Sequence, residues 1–452
     1  MSEKEIGLSI LTLGVFVGIV HVLGYAFERL KQPRLVGEIV AGILLGPFVL
    51  GQLSPAVFTL LFANPAAGGQ SKTSIVLGFV YWLGILLLMF ISGSHVRGLL
   101  SKANRRETAW IIGIGTPLPF FLVLGLGFAS VIPLDAMIGE KNVRVATLLV
   151  LASAVAVTSI PVISRIFHDL RILHTRFASL VLGFAVLEDI ALWGVLAVAT
   201  ALTKSASLSE QNVITATSIH LATTLTYMVA GLTFLPLVLK RVRLLRRNLL
   251  YKSSPLAYAI CVLFGYVAIA AYLEVNLVFA AFLAGFGLAG GIAGDERQHF
   301  TEALDAIHRF SFSVFIPVYF GLVGYRLAFG RDFSLVMFLA MLIGSSLVVL
   351  LSRGLAAKLA GFQQLDILNL AITTNARGGP GIVLASVAFE AGIISATFYT
   401  TLVLTAIVTS QAAGMWLRFV LSKGWPLLSS NPEETGLAVR GRGPVTVQTP
   451  AA

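Results

Sequence analysis

The sequence predicts an all-α polytopic membrane protein with 13 transmembrane helices, the N-terminus outside and the C-terminus in the cytoplasm. Three observations support this: the composition, the length of the apolar stretches and the distribution of basic residues. Of the 452 residues, 57% are hydrophobic and 12% are charged, and a soluble domain carries about twice that share of charge. A soluble monomer would not tolerate so much exposed apolar surface. Soluble, disordered and collagen-like proteins are therefore excluded.

Thirteen apolar stretches are long enough to cross a bilayer, and each is bounded by charged or turn-forming residues. They cover residues 6–27, 35–51, 74–94, 108–132, 143–168, 176–203, 212–239, 255–273, 275–292, 309–328, 333–360, 366–390 and 394–421. The remaining residues, 422–452, are rich in Pro, Gly, Ser and Thr and predict a short disordered cytoplasmic tail.

The basic residues set the predicted orientation. With the N-terminus outside, most of the 32 Lys and Arg residues lie in loops on the cytoplasmic side, as the positive-inside rule requires. Because they sort by side of the membrane and form no single patch, the net charge of +11 does not indicate a nucleic-acid partner. Arg353 and Arg377 are exceptions that fall inside predicted spans.

Two adjacent carboxylates lie midway along the sixth span, in the segment FAVLEDIALWGVLA. Ionisable residues at membrane depth are costly and are functional candidates by default. Glu188 and Asp189 point about 100° apart on a helix, so they can serve different roles, one of them exchanging H+ for a small cation. The alternative is that both acids pair with basic residues and are purely structural.

Arg353, in SSLVVLLSRGLAAKLAG of the eleventh span, is the expected partner of one of these acids, because guanidinium stays charged and binds carboxylates in a bidentate manner. Alternatively, Arg353 extends to the cytoplasmic surface, as Lys358 is expected to do.

Two spans contain residues that interrupt helices. The fifth carries ASAVAVTSIPVISR and the twelfth carries ITTNARGGPGIVLAS. Proline removes a backbone donor and glycine lowers helix preference, and unwound backbone at membrane depth survives only inside protein or along a cavity. A proline kink alone could explain the fifth span but not both. The residues predicted to form the breaks are Thr158, Ser159, Pro161, Asn375, Gly378, Gly379, Pro380 and Gly381.

The two interrupted spans are related by an inverted repeat of spans one to six and eight to thirteen, in which the fifth corresponds to the twelfth and the second to the ninth. A weak echo, VGEIVAGILLGPFVLG against LVFAAFLAGFGLAGG, supports the pairing. Matching broken helices in an inverted repeat indicate the substrate site of a secondary transporter.

Four motifs in order resemble the monovalent cation:proton antiporter family, in its second branch of bacterial sodium/proton and potassium-efflux antiporters. They are QPRLVGEIVAGILLGP, TSIPVISRIFHDL, the acidic pair and NARGGPGIVLAS. The resemblance implies dimerisation helices in about 6–94 and 255–328, core helices in about 108–203 and 333–421, and a linker helix at 212–239. It also implies a homodimer in the cell membrane that works by elevator-type alternating access.

The resemblance also implies roles for individual residues. Asp189 matches the essential ion- and proton-binding aspartate, and Glu188 matches the variable residue before it. Thr158 and Ser159 match the unwound segment beside the ion, and Arg353 matches the basic residue that pairs with the first acid. Arg377 is assigned as a second charge-compensating residue.

Many relatives carry an acid where this chain has Gly381, so the partner of Arg377 stays open. The potassium-efflux members carry a nucleotide-binding domain that is not expected here, and no cofactor is expected.

The predicted activity is therefore exchange of a monovalent cation for H+, with Na+ as the first expectation and K+ or Li+ as alternatives. Relatives with paired aspartates often have lysine at the position of Arg353, and arginine does not release its proton, so exchange is expected to be electroneutral, one for one. A cation-coupled symporter of a small organic solute on the same fold is the alternative. An intramembrane enzyme around ISGSHVRG lacks a partner motif and any HExxH sequence.

Overall fold

The membrane interior offers no hydrogen bonds to the backbone, so each spanning segment must satisfy its own polar groups, which a helix does. The computed structural model describes residues 2–30, 32–62, 72–99, 110–173, 175–205, 213–244, 248–289, 296–327, 329 and 333–429. These residues form α-helices, three π-helical segments and one isolated β-bridge between Ile138 and Ile394.

The α-helices are numbered in chain order. They are α1 (Glu3–Arg29), α2 (Arg34–Leu45), α3 (Leu50–Leu53), α4 (Pro55–Phe62), α5 (Lys72–Leu99), α6 (Pro117–Phe128), α7 (Arg144–Ala156), α8 (Ile160–Asp169), α9 (Arg176–Ser205), α10 (Val213–Val229), α11 (Leu235–Leu244), α12 (Leu249–Ser253), α13 (Pro255–Tyr272), α14 (Leu277–Leu288), α15 (Glu296–Phe310), α16 (Ile316–Tyr325), α17 (Leu335–Leu359), α18 (Gln364–Thr374), α19 (Gly378–Glu390) and α20 (Ala396–Ser422). The π-helical segments are Ile111–Gly115, Ala230–Phe234 and Ser311–Phe315.

Within the described ranges, nine helical segments are long and apolar enough to cross a membrane, which makes this a multi-pass membrane protein. The other four predicted spans are occupied by shorter helices. These are α6, the pair α7 and α8, α14, and the pair α18 and α19. The total of thirteen crossings stays a prediction.

The helices pack as two sets. The scaffold helices are α1–α5 and α13–α16, in which α14 packs on α5, α16 on α2 and α1 on α2. The core helices are α6–α9 and α17–α20, in which α7 packs on α9, α17 on α18 and α19 on α20. The two sets meet where α9 contacts α5 and α14, and α10 packs on α9.

Glycines bring the scaffold helices into backbone contact. A Cβ added at Gly42 of α2 would lie 1.7 Å from the carbonyl oxygen of Gly321 in α16. A Cβ added at Gly285 of α14 would lie 1.9 Å from the carbonyl oxygen of Phe90 in α5. Small residues at such contacts are the usual way in which membrane helices approach closely.

A second pair of contacts relates these two interfaces. A Cβ at Gly324 would lie 2.0 Å from the carbonyl oxygen of Ile39, and one at Gly93 would lie 2.0 Å from that of Phe282. In each interface the two contacts are separated by three residues along both of the helices that form it. The α2–α16 and α14–α5 interfaces therefore match position by position, which supports the inverted repeat between the second and ninth spans.

Replacing Gly93 with alanine is expected to destabilise the protein, because the new methyl group has no room against α14. Overpacking of this kind costs about 1–3 kcal/mol. The matched control is Gly78→Ala on the same helix, where an added Cβ meets nothing within 4 Å and alanine favours the helix. Thermal unfolding in detergent should show a lower Tm for Gly93→Ala and an unchanged or higher Tm for Gly78→Ala. Equal melting temperatures would contradict the proposed packing.

The first residues of the tail that the composition predicts to be disordered are ordered on the protein. The Asp366 carboxylate accepts from the backbone N–H of Ser429 at 2.8 Å and from its hydroxyl at 2.9 Å, and Asn369 donates to the carbonyl oxygen of Leu427 at 3.1 Å. Leu427 and Leu428 are buried. Residues 423–429 are therefore held on the core helices by polar groups that the composition does not reveal, and residues 430–452 lie outside the described part of the chain.

Candidate functional site

The two helix interruptions predicted from the sequence are in direct contact. The backbone N–H of Ser159, between α7 and α8, donates to the carbonyl oxygen of Ala376, between α18 and α19, at 2.7 Å. The Thr158 hydroxyl donates to the carbonyl oxygen of Thr374 at 2.9 Å. Backbone groups released by one interruption are thus satisfied by the other, which is how a break survives inside a membrane protein.

The interruptions cover residues 157–159 and 375–377, so both end before the predicted positions. Three of the predicted break residues lie in them, namely Thr158, Ser159 and Asn375. The other five lie in the first turn of the following helix: Pro161 in α8, and Gly378, Gly379, Pro380 and Gly381 in α19. The prediction for these five was wrong. The two prolines fit in a first turn because the first backbone N–H groups of a helix have no intrahelical partner.

Gly378 is where the two interruptions pack most closely. Its φ of +37° lies in the left-handed region, and an added Cβ would lie 2.5 Å from the Ser159 hydroxyl oxygen. Its backbone N–H donates to the Ser410 hydroxyl at 3.0 Å. Ser159 in turn accepts from the backbone N–H of Val162 at 3.4 Å, as the N-cap of α8.

Gly378→Ala is expected to destabilise the core, because it adds both a steric clash and an unfavourable φ. The neighbouring Gly379→Ala is the matched control, since its Cβ would meet only Phe320, at 3.7 Å. Thermal unfolding in detergent should show a Tm for Gly378→Ala well below that of Gly379→Ala. The same Tm in both would show that the close contact at Gly378 is not needed.

The Arg353 guanidinium, from α17, holds the ends of both interrupted helices. It donates to the carbonyl oxygen of Ala156 at 2.6 Å and to that of Thr374 at 2.8 Å, and it also donates to the Thr158 hydroxyl. Ala156 and Thr374 are the last residues of α7 and α18. A positive charge at these two C-termini compensates the negative ends of both helix dipoles.

Arg353 also forms an ion pair with Glu188. Its Nη2 lies 3.0 Å from Oε1 and 3.2 Å from Oε2 of Glu188, and both side chains are almost completely buried. The Thr116 hydroxyl donates to Glu188 Oε1 at 2.5 Å. Burial of Arg353 excludes the alternative in which its side chain extends to the membrane surface. Glu188 is therefore fully engaged by a charge and a hydroxyl.

Asp189 is in a different environment from its neighbour. It is 0% exposed, and among the described residues no hydrogen-bond partner lies within reach of either carboxylate oxygen. One turn later on α9, Leu192 packs with Ala156 and Val157 at the first interruption. Among the residues that the structure describes, one carboxylate of the pair is thus buried without a hydrogen-bond partner, close to the backbone break.

Arg377 lies within the second interruption and is also buried. Its Nη2 donates to the Asn375 side chain at 3.2 Å, and Asn375 donates to Ser346 at 3.1 Å. Among the described residues no hydrogen-bond partner reaches its Nε or Nη1. A Cβ at Gly381 would lie 3.1 Å from the Arg377 Cβ, so a side chain at that position would pack against that of Arg377.

A cavity of about 540 Å³ separates scaffold and core helices and reaches the interruptions. Near the site it is lined by Val162, Gly379, Pro380 and Ser410, and at its other end by Arg34 and Arg418. The distribution of basic residues assigns those two arginines to the cytoplasmic side. The cavity therefore connects the predicted cytoplasmic side with the first turns of α8 and α19, and Asp189 does not line it.

Sequence reasoning missed Thr116 and Ser410. Thr116 precedes Pro117 inside an apolar span, and a proline there is the sequence signal that could have marked this position. Glu38 lines the cavity and pairs with Arg34 at 3.1 Å. Ser410 had no signal, since it lies inside an ordinary apolar span. The suggested enzyme motif contains His95, whose side chain is outside the described part of the structure.

Comparison with known proteins adds a family and a fold. The family model for the transmembrane sodium/hydrogen exchangers matches residues 15–423. The K+/H+ antiporter 1 of Saccharomyces cerevisiae is 29% identical over 409 residues, which cover 87% of this chain and 44% of the yeast protein. The Na+/H+ antiporter NhaS4 of Synechocystis is 25% identical over 421 residues, covering 91% of this chain and 96% of NhaS4. This chain thus spans less than half the length of the yeast relative.

The fold matches a solved structure, that of the sodium proton antiporter MjNhaP1 from Methanocaldococcus jannaschii at pH 8. The TM-score is 0.61 at 15% sequence identity, and the match covers 92% of this chain and 98% of the other. At this identity the match concerns the fold alone.

Proposed function

The chain belongs to the sodium/hydrogen exchanger family, and we propose that it exchanges Na+ for H+ across the membrane with Asp189 as the carrier of both ions. One observation carries this proposal. Asp189 is fully buried with no hydrogen-bond partner among the described residues, whereas the adjacent Glu188 is paired. A buried carboxylate without a counter-charge is costly, so Asp189 is expected to hold either a proton or a cation whenever the site is closed.

The interruptions supply the other ligands. Thr158 and Ser159 lie in the first interruption, where carbonyl and hydroxyl oxygens accumulate. The Thr158 hydroxyl already donates to Thr374 and accepts from Arg353, so it can offer a cation one remaining lone pair. Ser159 retains a lone pair beside its bond from Val162. A cation bound between these hydroxyls and Asp189 would lie next to the cavity that reaches Val162.

The ion pair predicts the stoichiometry. Arg353 remains protonated in a transport cycle, and its contact with Glu188 and with two helix ends leaves it no free role in proton exchange. A single exchangeable carboxylate then carries one H+ or one cation in turn. Exchange is therefore proposed to be electroneutral and one for one, with Arg377 as a second fixed charge of the core.

The packing suggests which part moves. The scaffold helices are joined by backbone contacts at Gly42, Gly93, Gly285 and Gly324, which suit a rigid element, whereas Asp189 and both interruptions belong to the core helices. We propose that the core moves against the scaffold in an elevator-type motion when Asp189 is neutralised. The scaffold helices are proposed to form a homodimer in the cell membrane.

Na+ is the proposed substrate because the matching family is that of the sodium/hydrogen exchangers. Relatives named for Na+/H+ and for K+/H+ exchange both match this chain, so K+ and Li+ are tested beside Na+. The same names do not favour the symporter of an organic solute.

Flux measured in proteoliposomes tests the proposal. An imposed pH gradient, followed with a pH-sensitive dye, should dissipate on addition of NaCl and not of choline chloride, with KCl and LiCl as parallel additions. The rate should be the same at several membrane potentials set by a permeant anion. A rate or end point that follows the potential would contradict electroneutral exchange. Proton movement in the same direction as the cation would contradict antiport altogether.

A further inference from the structure

A second, smaller cavity lies at the opposite end of the protein from the cytoplasmic one. Its volume is about 490 Å³, and it is lined by Pro47, Phe48, Tyr325, Arg326, Leu327, Phe389 and Glu390. Helices α2, α16 and α19 each begin at the large cavity and end at or just before the smaller one. The smaller cavity is therefore on the side that the basic residues assign to the exterior.

An ion pair at this cavity joins the scaffold to the core. Arg326 follows the last residue of α16, and Glu390 is the last residue of α19. The Arg326 guanidinium pairs with the Glu390 carboxylate and lies 4.2 Å from the centre of the Tyr81 ring. The two paired side chains are 33% and 29% exposed, so the pair is open to the cavity while Tyr81 is buried behind it.

Two further hydrogen bonds cross between the same helix sets beneath the ion pair. The Tyr319 hydroxyl on α16 donates to Ser386 on α19 at 3.3 Å, and the Tyr399 hydroxyl on α20 donates to the carbonyl oxygen of Val323 at 3.3 Å. All three side chains are at most 1% exposed. The outer half of the scaffold–core boundary is thus closed by a layer of charge and tyrosines, whereas its cytoplasmic half contains the large cavity.

We propose that Arg326 and Glu390 are the outer gate of the exchanger, a pair whose separation lets the site open to the exterior. The inference rests on the proposed movement of the core against the scaffold. Because α19 carries both Glu390 and the first turn at the second interruption, any displacement of the core relative to α16 must break this ion pair. The pair therefore stabilises the inward-open conformation and sets how often the outward-open one is populated.

Thiol labelling tests the gate without measuring transport. In a Cys261→Ser background, Ser386→Cys places a reporter directly behind the gate, and a membrane-impermeant maleimide is added to intact cells. Arg326→Gln and Glu390→Gln should each raise the labelling rate up to about fivefold, the population shift expected from losing one partly exposed ion pair. The charge-swapped double variant Arg326→Glu/Glu390→Arg should return the rate towards that of the parent.

Arg144→Gln is the matched control. Arg144 forms an ion pair with Asp135 at 3.4 Å on the predicted exterior side, and this pair lies within the core set and does not join it to the scaffold. The variant should leave the labelling rate unchanged. Val387→Cys serves as a second reporter if Ser386→Cys does not fold.

The proposed gate would be overturned if neither single variant changed the labelling rate. It would also be overturned if the charge-swapped variant did not return the rate towards that of the parent. Such a result with normal cation-driven proton flux leaves the proposed function intact. Labelling that responds as expected in a protein without flux would instead contradict the proposed function alone.

Discussion

Asp189→Asn is expected to abolish cation-driven proton flux while leaving the protein folded. The asparagine side chain has nearly the same shape but takes up neither a proton nor a cation in exchange, so the proposed carrier is lost. Its neutral amide costs less to bury than a carboxylate without a partner, and Asp189 makes no hydrogen bond with the described residues that the change would break. Flux in proteoliposomes should fall to the level of empty vesicles, and the Tm should be unchanged or higher.

Cation-dependent stability gives an independent measurement of the same site. A cation that binds only the folded protein raises stability by mass action, about 2.7 kcal/mol at a hundred times its Kd. The Tm of the wild-type protein should therefore rise with NaCl, and less at acidic pH because protons compete for the same carboxylate. Asp189→Asn should lose this dependence, whereas Asp135→Asn, at an exposed loop position, should keep it. Flux that survives in Asp189→Asn would overturn the assignment of the carrier.

The sequence was informative wherever physical cost restricts what a residue can do at membrane depth. Long apolar stretches located the helices, and the family assignment from the four motifs is confirmed by the match over residues 15–423. Arg353 could be expected to pair with one of the two acids because each charge is expensive alone, and the family resemblance pointed to Glu188. Thr158 and Asn375 could be placed at breaks because polar residues stand beside proline or glycine in the fifth and twelfth spans, which correspond in the inverted repeat.

The remaining details depend on contacts between distant segments, which spacing along the chain does not encode. Pro161 and Pro380 were expected in unwound backbone, yet both fit the first turn of a helix, where a missing N–H has no cost. The tight approach of Gly378 to Ser159 could not be deduced, because many glycines in these spans serve helix packing instead. Thr116 reaches Glu188 from a different span, and a lone threonine before proline carries no sign of its partner.

The same contacts explain why the core can hold three buried charges beside Asp189. Arg353 and Glu188 neutralise each other, and Arg353 also faces the C-terminal ends of two helices. Arg377 is held by Asn375 at the second interruption. Removing Arg353 therefore affects a charge, two helix ends and one hydroxyl together, which makes its replacement the most severe change expected for stability.

Arg353→Gln is expected to lower stability strongly and to abolish flux. Removing one partner of a buried ion pair costs about 3–5 kcal/mol, because the other charge stays buried without compensation. Thermal unfolding in detergent should show a large fall in Tm, whereas Lys358→Gln, at an exposed basic residue of the same helix, should show almost none.

The double variant Glu188→Gln/Arg353→Gln separates the two functions of Arg353. Removing both charges eliminates the unpaired Glu188, so the double variant should be more stable than Arg353→Gln and should retain some flux through Asp189. Recovery should be incomplete, because the carbonyl oxygens of Ala156 and Thr374 still lose their charged donor. Full recovery would mean that the helix ends do not need Arg353. A double variant no more stable than Arg353→Gln would mean that the ion pair with Glu188 contributes little to stability. The main function of Arg353 would then be to bind the two helix ends.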